Sequence, residues 1–167
     1  MTRAVALALA IALMGAGCAQ GGGPDGSPSG GLLPRDRLGL PEYGPSQFDA
    51  LIRELRGTPV VVNFWGSWCP PCRDEAPELA QVARERRGAV QFLGVDFNDN
   101  RAAAREFIQE FDWRYPSIFD PDDEIRPSLG YIGQPVTVIY DRHGEIAFDW
   151  VGAISAQLLR RELDRVR

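Results

Sequence analysis

Two cysteines separated by two prolines, in the order Cys69-Pro70-Pro71-Cys72, are the residues whose type and spacing could do chemistry. The apolar run Val60–Trp65 precedes them and a helical pattern follows them, so Cys69 is expected at a helix N-terminus. The unpaired backbone N–H groups and the helix dipole there favour a thiolate, which is the species that attacks disulfides. Cys72 lies one turn further along and is the expected resolving residue, which attacks the mixed disulfide and releases the product.

Two other uses of this cysteine pair are less favourable. A structural disulfide is possible in an exported protein, but a bridge across only two intervening residues restrains little of the unfolded chain. A zinc site needs about four ligands, and the further candidates are His143 and Cys18. The sequence therefore predicts redox chemistry at a disulfide, without a metal or another cofactor, and it gives His143 no role.

The elements that must position this pair alternate along the chain. Short apolar runs predict strands at Val60–Trp65, Val90–Phe97 and Val136–Tyr140, and alternation predicts a half-exposed antiparallel strand over 146–150. Helical patterns cover 46–56, 71–87, 101–111 and 155–166. The segment 115–134 is rich in Pro and Asp and is expected to be irregular, with room for one short helix. This order predicts an α/β fold with a parallel sheet covered by helices, to which the last hairpin adds an antiparallel edge.

Length and charge limit the class of protein. A chain of 167 residues can form one domain with a core but not two comfortable ones. The net charge is −5, and without any basic run the chain is not expected to bind nucleic acid. All 18 basic residues are Arg, and the lack of Lys excludes Schiff-base chemistry.

Residues 1–18 are typical of a secretory signal peptide. Their apolar run, Ala4–Met14, is too short to span a membrane easily. Cys18 follows small residues, as in the lipobox of bacterial lipoproteins, where the cysteine becomes the first mature residue and carries lipid. Gly15 stands where a leucine is usual, so cleavage near Ala19 without lipidation and an uncleaved anchor stay open. All three alternatives place the domain outside the cytoplasm.

The segment 19–39 is predicted to be a flexible tether, because residues 19–31 are Gly, Ser, Pro and Asp with almost nothing apolar. The folded domain is expected to cover 40–167, which is close to the usual size of a single domain. Such a tether would let an anchored domain move above a membrane.

The stretch Val61–Leu79 (VVNFWGSWCPPCRDEAPEL) closely resembles the TlpA/ResA/CcmG-like thioredoxins. These are exported, membrane-tethered reductases associated with cytochrome c maturation. The resemblance continues through Gly94–Asp96, Tyr115–Ser117 and Gln134–Thr137, and it covers nearly the whole domain. It implies a thioredoxin fold, with a central mixed sheet flanked by helices and an N-terminal extension before it.

The same resemblance implies the residues that bind substrate. Pro135 matches the cis-proline that faces the cysteine pair in thioredoxin folds, where an extended substrate strand pairs with the backbone. A trans proline at a strand start is the alternative. The expected substrate-binding set is Trp68, Pro70, Pro71, Gln134 and Pro135, although an aromatic residue at position 68 could also belong to the core.

Glu75 is the expected acid–base residue. It lies three residues after Cys72, where ResA-like members carry an acidic residue near the disulfide, and a partly buried carboxylate there could take or give the proton during exchange. The alternative is a solvated glutamate on the helix surface. Asn63 stands where cytosolic thioredoxins have a buried Asp, which leaves Glu75 as the best candidate for the proton shuttle.

The resemblance implies a reductase at the outer face of the bacterial cell membrane. Reduced Cys69 would attack the disulfide in an apocytochrome c CxxCH motif, and electrons would come from a membrane thiol carrier. The reverse chemistry, disulfide insertion into exported proteins, stays open because about 30 mV corresponds to only 1.4 kcal/mol. A peroxidase would need a peroxidatic cysteine in a Pro- and Thr-bearing loop, which we do not find. A surface-binding module without enzymatic activity is the remaining alternative.

Overall fold

The computed structural model describes residues 31–166, which form five strands and five helices. The strands are β1 (Val60–Trp65), β2 (Gln91–Phe97), β3 (Ser117–Asp120), β4 (Val136–Tyr140) and β5 (Ile146–Val151). The helices are α1 (Pro45–Glu54), α2 (Pro70–Glu85), α3 (Arg101–Glu110), the single turn α4 (Ile125–Ser128) and α5 (Ala156–Arg165). The four strands and four long helices predicted from the sequence are all present.

The strands form one mixed sheet in the order β3-β2-β1-β4-β5. Strands β1, β2 and β3 are parallel, whereas β4 is antiparallel to β1 and β5 is antiparallel to β4. Every residue of β1 is buried, because both neighbouring strands and both layers of helices cover it. This confirms the predicted central mixed sheet flanked by helices, and it places the carboxyl end of β1 immediately before the cysteine pair.

Two hydrophobic layers hold the sheet. On one face α2, α3 and α5 bury the core residues Val61, Trp65, Leu79, Phe107 and Leu159. On the other face α1 and α4 cover a second core that includes Phe48, Val62, Phe64, Val95 and Val138. Consecutive β1 residues alternate between these layers, as the period of two in a strand requires. Helix α2 is therefore fixed against the sheet along one face.

Strand β3 corrects the expectation that 115–134 is irregular. It has only four residues, which are all buried, and it pairs in parallel with β2. Its outer edge is covered by the segment before α1, since Tyr43 N–H donates to the Phe119 carbonyl and Phe119 N–H donates to the Pro41 carbonyl, both at 2.9 Å. A strand this short, bounded by prolines, carries no period that the sequence alone could reveal.

The predicted tether is wrong for residues 32–39, which pack on the domain. Leu32 and Leu33 contact the core beneath α1, and Leu38 contacts the core beneath α2. The Tyr43 hydroxyl donates to the Leu32 carbonyl at 2.5 Å, and Arg105 Nε donates to the Leu38 carbonyl at 2.9 Å. Three partly buried leucines hold this polar segment against the two cores, so the domain begins before residue 40.

The other predictions for the amino-terminal part fall outside the described residues. These are the signal peptide over 1–18, the lipidation of Cys18 and the tether over 19–30. Among residues 31–166, no helix combines the length and the hydropathy needed to cross a membrane.

Candidate active site

Cys69 and Cys72 form a disulfide at the N-terminus of α2, as the sequence predicts. Cys69 is the N-cap residue, and its sulfur accepts a hydrogen bond from the Cys72 backbone N–H at 3.3 Å. Pro70 and Pro71 occupy the first two helical positions. A backbone N–H at these positions has no partner within the helix, so its absence in proline costs no hydrogen bond. The Cys72 N–H and the helix dipole stabilise negative charge on the Cys69 sulfur.

A short loop carries the chain from β1 to Cys69. The Cys69 N–H donates to the Gly66 carbonyl at 3.1 Å, which closes a turn over residues 66–69. Asp99, from the connection between β2 and α3, accepts from both the backbone N–H of Ser67 and its hydroxyl, the latter at 2.9 Å. The approach to the disulfide is therefore anchored to the neighbouring strand as well as to its own helix.

Trp68 lies at the surface beside the disulfide. Its side chain is 46% exposed, its Nε1 donates to the Asn98 carbonyl at 3.0 Å, and its ring meets the edge of Phe97 with 5.8 Å between centroids. Trp65, by contrast, is fully buried and stacks on Phe107. Trp68 thus occupies the rim, and the alternative of a core position for it is wrong.

The Gln134–Pro135 peptide bond is cis, as predicted. Pro135 directly precedes β4, where Val136 pairs with Phe64 of β1, so the cis bond lies beside the end of β1 that leads to the cysteines. The Pro135 carbonyl accepts from Gly152 N–H at 2.8 Å. Within residues 31–166, neither the N–H nor the C=O of Gln134 takes part in a hydrogen bond.

Glu75 is buried, with 2% of its surface exposed, so the alternative of a solvated helix residue is wrong. One carboxylate oxygen accepts from Asn63 Nδ2 and the other from Ile154 N–H, both at 2.7 Å. Asn63 Nδ2 also donates to the Thr137 hydroxyl at 3.1 Å, which fixes the orientation of the amide. Strand β1 and the segment between β5 and α5 therefore hold this carboxyl group directly, and β4 holds it through Asn63.

Burial raises the pKa of Glu75 to about 7. The hydrogen bonds from Ile154 and Asn63 lower the pKa, and the negative charge of Glu78 adds a small increase. Glu75 is three residues after Cys72, so both side chains lie on the same face of α2. A carboxyl group with this pKa can hold or release a proton near neutral pH, as acid–base catalysis requires.

The structure brings most of the predicted site residues to one end of the sheet. Trp68, Pro70, Pro71, Cys69 and Cys72 are contiguous, and Glu75 follows one helical turn later. His143 lies in the turn between β4 and β5, away from this group. Cys18 is outside the described residues.

Several residues around the site were missed by sequence reasoning. Asp99 precedes Asn100, the N-cap of α3, and its carboxylate holds Ser67. Thr137 and Ile154, which complete the surroundings of Glu75, come from distant segments. The Asp-Asn pair before α3 was a visible signal for a polar connection, but its contact with the loop depends on the tertiary fold.

The site consists of a disulfide at a helix N-terminus, a cis-proline at the adjacent strand end and a buried carboxyl group one turn away. Together with the sheet, these features define a thiol–disulfide oxidoreductase with a thioredoxin fold. The sequence profile of the AhpC/TSA family matches residues 47–149. The chain belongs to this family, and its relatives include thiol–disulfide oxidoreductases named DsbE and ResA.

Known proteins support this assignment. The chain is 37% identical over 111 residues to the thiol:disulfide interchange protein DsbE of Pseudomonas aeruginosa, covering 66% of this chain and 60% of the relative. It is 26% identical over 117 residues to the thiol-disulfide oxidoreductase ResA of Halalkalibacterium halodurans, covering 70% and 66%. The structure of MTB DsbF in mixed oxidized and reduced forms superposes with a TM-score of 0.64 at 31% identity, over 69% of this chain and 85% of that one.

Proposed function

We propose that this chain is an exported, membrane-tethered reductase that reduces disulfides in apocytochrome c CxxCH motifs during cytochrome c maturation. The main support for this proposal is the buried Glu75. Its pKa of about 7 allows it to exchange a proton near neutral pH, one helical turn from Cys72. The resemblance to the TlpA/ResA/CcmG-like thioredoxins supplies the substrate class. An electron-donating membrane thiol carrier and a lipid anchor at Cys18 complete the proposal.

The exchange proceeds in two steps, formation of a mixed disulfide and its resolution. The Cys69 thiolate attacks one sulfur of the substrate disulfide, forming a mixed disulfide and releasing the other substrate sulfur as a thiolate, which takes a proton. Ionised Glu75 then accepts the proton of Cys72, and the Cys72 thiolate attacks Cys69 Sγ. The second substrate sulfur leaves, two electrons have passed to the substrate, and the Cys69–Cys72 disulfide is formed.

Substrate binding follows from the surroundings of the disulfide. The free backbone groups of Gln134 can pair with an extended peptide whose cysteine lies against Cys69. Trp68 provides an exposed apolar surface beside it. Pro70 and Pro71 present rigid surfaces without N–H groups, whereas the buried Pro135 acts by fixing the backbone of Gln134. In this arrangement the substrate strand lies across the N-terminus of α2.

The first experiment measures the reduction potential of the Cys69–Cys72 pair. A value near that of thioredoxin, about −270 mV, or lower supports a reductase supplied by a membrane donor. A value near that of the strong oxidant DsbA, about −120 mV, would remove the thermodynamic basis for the proposal and favour disulfide insertion into exported proteins.

A trapping experiment then tests the substrate. The Cys72→Ser variant cannot resolve the mixed disulfide, so it should accumulate a Cys69-linked complex with apocytochrome c that carries an oxidised CxxCH motif. The Cys69→Ser variant is the matched control and should trap nothing. Equal trapping of an unrelated oxidised protein would contradict the assigned substrate.

A further inference from the structure

Arg126, in the single turn α4, carries a largely buried guanidinium that takes no part in the exchange described above. Its side chain is 11% exposed, whereas the other arginines that form ion pairs within residues 31–166 are at least 31% exposed. A charge withdrawn from water is unfavourable unless it is paired and hydrogen-bonded. The partners of this guanidinium therefore indicate what it does.

Asp123 and Phe97 compensate the charge of Arg126. The Asp123 carboxylate accepts from Arg126 Nε at 3.1 Å and from one terminal NH₂ group, a bidentate pair that fixes the guanidinium plane. The guanidinium carbon lies over the Phe97 ring of β2, 4.4 Å from its centroid. The second terminal nitrogen, Nη1, is left for another acceptor.

That acceptor belongs to the loop before β4. Arg126 Nη1 donates to the Gly133 carbonyl. The main chain of Arg126 holds the same loop, because its carbonyl accepts from Tyr131 N–H at 3.2 Å. The connection from α4 to β4 is therefore attached to Arg126 at two points, one through the main chain and one through the side chain.

The Gly133 carbonyl and the Gln134 N–H belong to one planar trans peptide unit and point in opposite directions. Gly133 has a φ of 96°, a conformation that only glycine adopts readily, and its lack of a side chain leaves this peptide unit free to rotate. A hydrogen bond to the carbonyl therefore also fixes the direction of the N–H. Because Arg126 holds the carbonyl, the Gln134 N–H faces away from the guanidinium.

Arg126 is also linked to the rim of the active site. The Phe97 ring, which carries the guanidinium on one contact, meets the Trp68 ring edge-on in another, with 5.8 Å between centroids. The two parts of the proposed substrate-binding surface, the Trp68 indole and the Gln134 backbone, are thus both connected to Arg126 through direct contacts.

We propose that Arg126 is a positioning residue for peptide substrates. By holding the Gly133 carbonyl, its guanidinium presents the Gln134 N–H to the extended strand that carries the substrate disulfide. The proposal rests on the strand pairing at Gln134 given under the proposed function, but not on the identity of the substrate or on the direction of electron flow.

Loss of the guanidinium should weaken peptide binding without altering the chemistry of the sulfur atoms. The peptide unit between Gly133 and Gln134 could then rotate, and a substrate strand would have to order it on binding. The loss of about one well-placed hydrogen bond corresponds to a fall of about tenfold in the rate constant for a peptide. A small disulfide without a peptide backbone has no strand to pair and should not be affected in this way.

The first test compares two oxidants of the reduced full chain. One is a peptide with an oxidised CxxCH motif, and the other is hydroxyethyl disulfide. Arg126→Met keeps the length of the apolar stem but removes every donor, so the rate constant for the peptide should fall about tenfold and that for hydroxyethyl disulfide by less than about twofold. Equal falls with both oxidants, or no fall with the peptide, would overturn the proposal.

Arg101→Met is the matched control. The Arg101 guanidinium also donates to a carboxylate, Glu42 at 3.1 Å, and to a backbone carbonyl, Leu40 at 3.2 Å, and it lies over the Phe119 ring at 4.3 Å. These contacts hold the segment before α1 and not the loop before β4. The ratio of the two rate constants should therefore stay that of the unchanged chain, and a shift equal to that in Arg126→Met would count against the proposal.

A second test asks whether Asp123 acts through Arg126. Asn can adopt the φ of 52° found at Asp123, so Asp123→Asn weakens the ion pair without disturbing the backbone. It should lower the peptide rate constant about threefold in the unchanged chain but not in Arg126→Met. Two independent, multiplicative effects would contradict the orientation of Arg126 by Asp123.

The reduction potential separates positioning from a general structural role. Arg126 acts on the substrate strand, so the potential of the Cys69–Cys72 pair should be the same in Arg126→Met as in the unchanged chain, and a shifted potential would overturn the proposal. If Arg126→Met does not fold, Arg126→Lys replaces it. Its compact ammonium lacks the planar fork that joins Asp123 to Gly133, so a peptide rate constant equal to that of the unchanged chain would again overturn the proposal.

These measurements also separate the role of Arg126 from the proposed function. An oxidised peptide of unrelated sequence should lose rate equally in Arg126→Met, because backbone pairing does not depend on side chains. A protein that shows this loss but fails to trap apocytochrome c would refute the substrate assignment and leave the role of Arg126 intact. Peptide rate constants that do not respond to Arg126→Met would refute the role of Arg126, whatever the substrate.

Discussion

At the scale of single residues, Glu75 of α2 and Asp96 of β2 are buried carboxyl groups with different surroundings. Glu75 accepts hydrogen bonds from Asn63 and Ile154, so its ionised form is partly compensated, whereas Asp96 meets no donor. The pKa of Glu75 is accordingly raised to about 7 and that of Asp96 to about 9. One group can exchange protons at neutral pH, and the other keeps its proton.

The raised pKa of Glu75 predicts a specific loss of stability with pH. The folded protein binds this proton more tightly than the unfolded chain, so its contribution is complete below pH 4.5 and is lost as the pH rises through about 7. The unfolding free energy of the unchanged chain should fall between pH 4 and pH 8 by about 3 kcal/mol more than that of Glu75→Gln.

Denaturant unfolding at several pH values measures this difference. The pH dependence is the informative quantity. In Glu75→Gln the new NH₂ group lies against an N–H donor, and this lowers the unfolding free energy by an amount that does not vary with pH. The surface variant Glu106→Gln serves as a control. Parallel pH profiles for Glu75→Gln and the unchanged chain would show that Glu75 does not hold its proton in the folded state.

The sequence allowed the reacting residues to be predicted better than their surroundings. Cys69, Cys72 and the cis-proline belong to a local motif or a family resemblance, and their geometry is confirmed. Asp96 appears in the sequence as a charge inside an apolar strand and as the last residue of the Gly94–Asp96 resemblance. Its raised pKa depends on burial and on the absence of donors, which arise from distant segments.

At the scale of elements, the site depends on how closely β1, β2 and β3 approach beneath α2. Gly94 of β2 lies between Asn63 of β1 and Ser117 of β3. A Cβ at this position would come closer than 3.0 Å to both the Ser117 hydroxyl and the Trp65 indole nitrogen. The glycine is therefore required by the packing of neighbouring strands and not by its own backbone conformation.

Gly94→Ala should destabilise the protein by about 1–3 kcal/mol, the usual cost of an extra group in a filled core. Ser117→Gly removes one of the two obstructing side chains, so the double variant should recover part of this loss. Unfolding free energies of the four proteins form a double-mutant cycle. Strictly additive changes would contradict the proposed contact between Gly94 and Ser117.

Strands and helices were predicted correctly where their apolar pattern extends over enough residues. Strands β1, β2 and β4 are apolar runs, and the helices carry regular apolar faces, so their positions are close to those expected. Strand β3 was missed because four residues between prolines show no period, and it gains its pairing from β2. Such a strand is determined by its neighbours and not by its own composition.

At the scale of the whole molecule, the amino-terminal segment belongs to the domain. Residues 32–39 contact both hydrophobic cores. The next residues cover the outer edge of β3, which would otherwise expose unpaired backbone groups. The polar composition of the preceding residues concealed this boundary, since three leucines hardly change the mean hydropathy of the segment.

A chain that begins at residue 40 should therefore be less stable than one that begins at residue 31. Loss of the partly buried Leu32, Leu33 and Leu38 should lower the unfolding free energy by about 2–4 kcal/mol. A Leu38→Ala change in the longer chain should account for part of this loss. Equal stability of the two chains would restore the interpretation of this segment as a tether.

The placement of Trp68 has an optical consequence. Its indole is held to Asn98 and stands one residue before a disulfide, which is an efficient acceptor of the excited electron of an indole ring. Emission from this ring should therefore be suppressed while the cysteines are joined and should recover when they separate. The protein thus carries an intrinsic fluorophore whose brightness follows its own oxidation state.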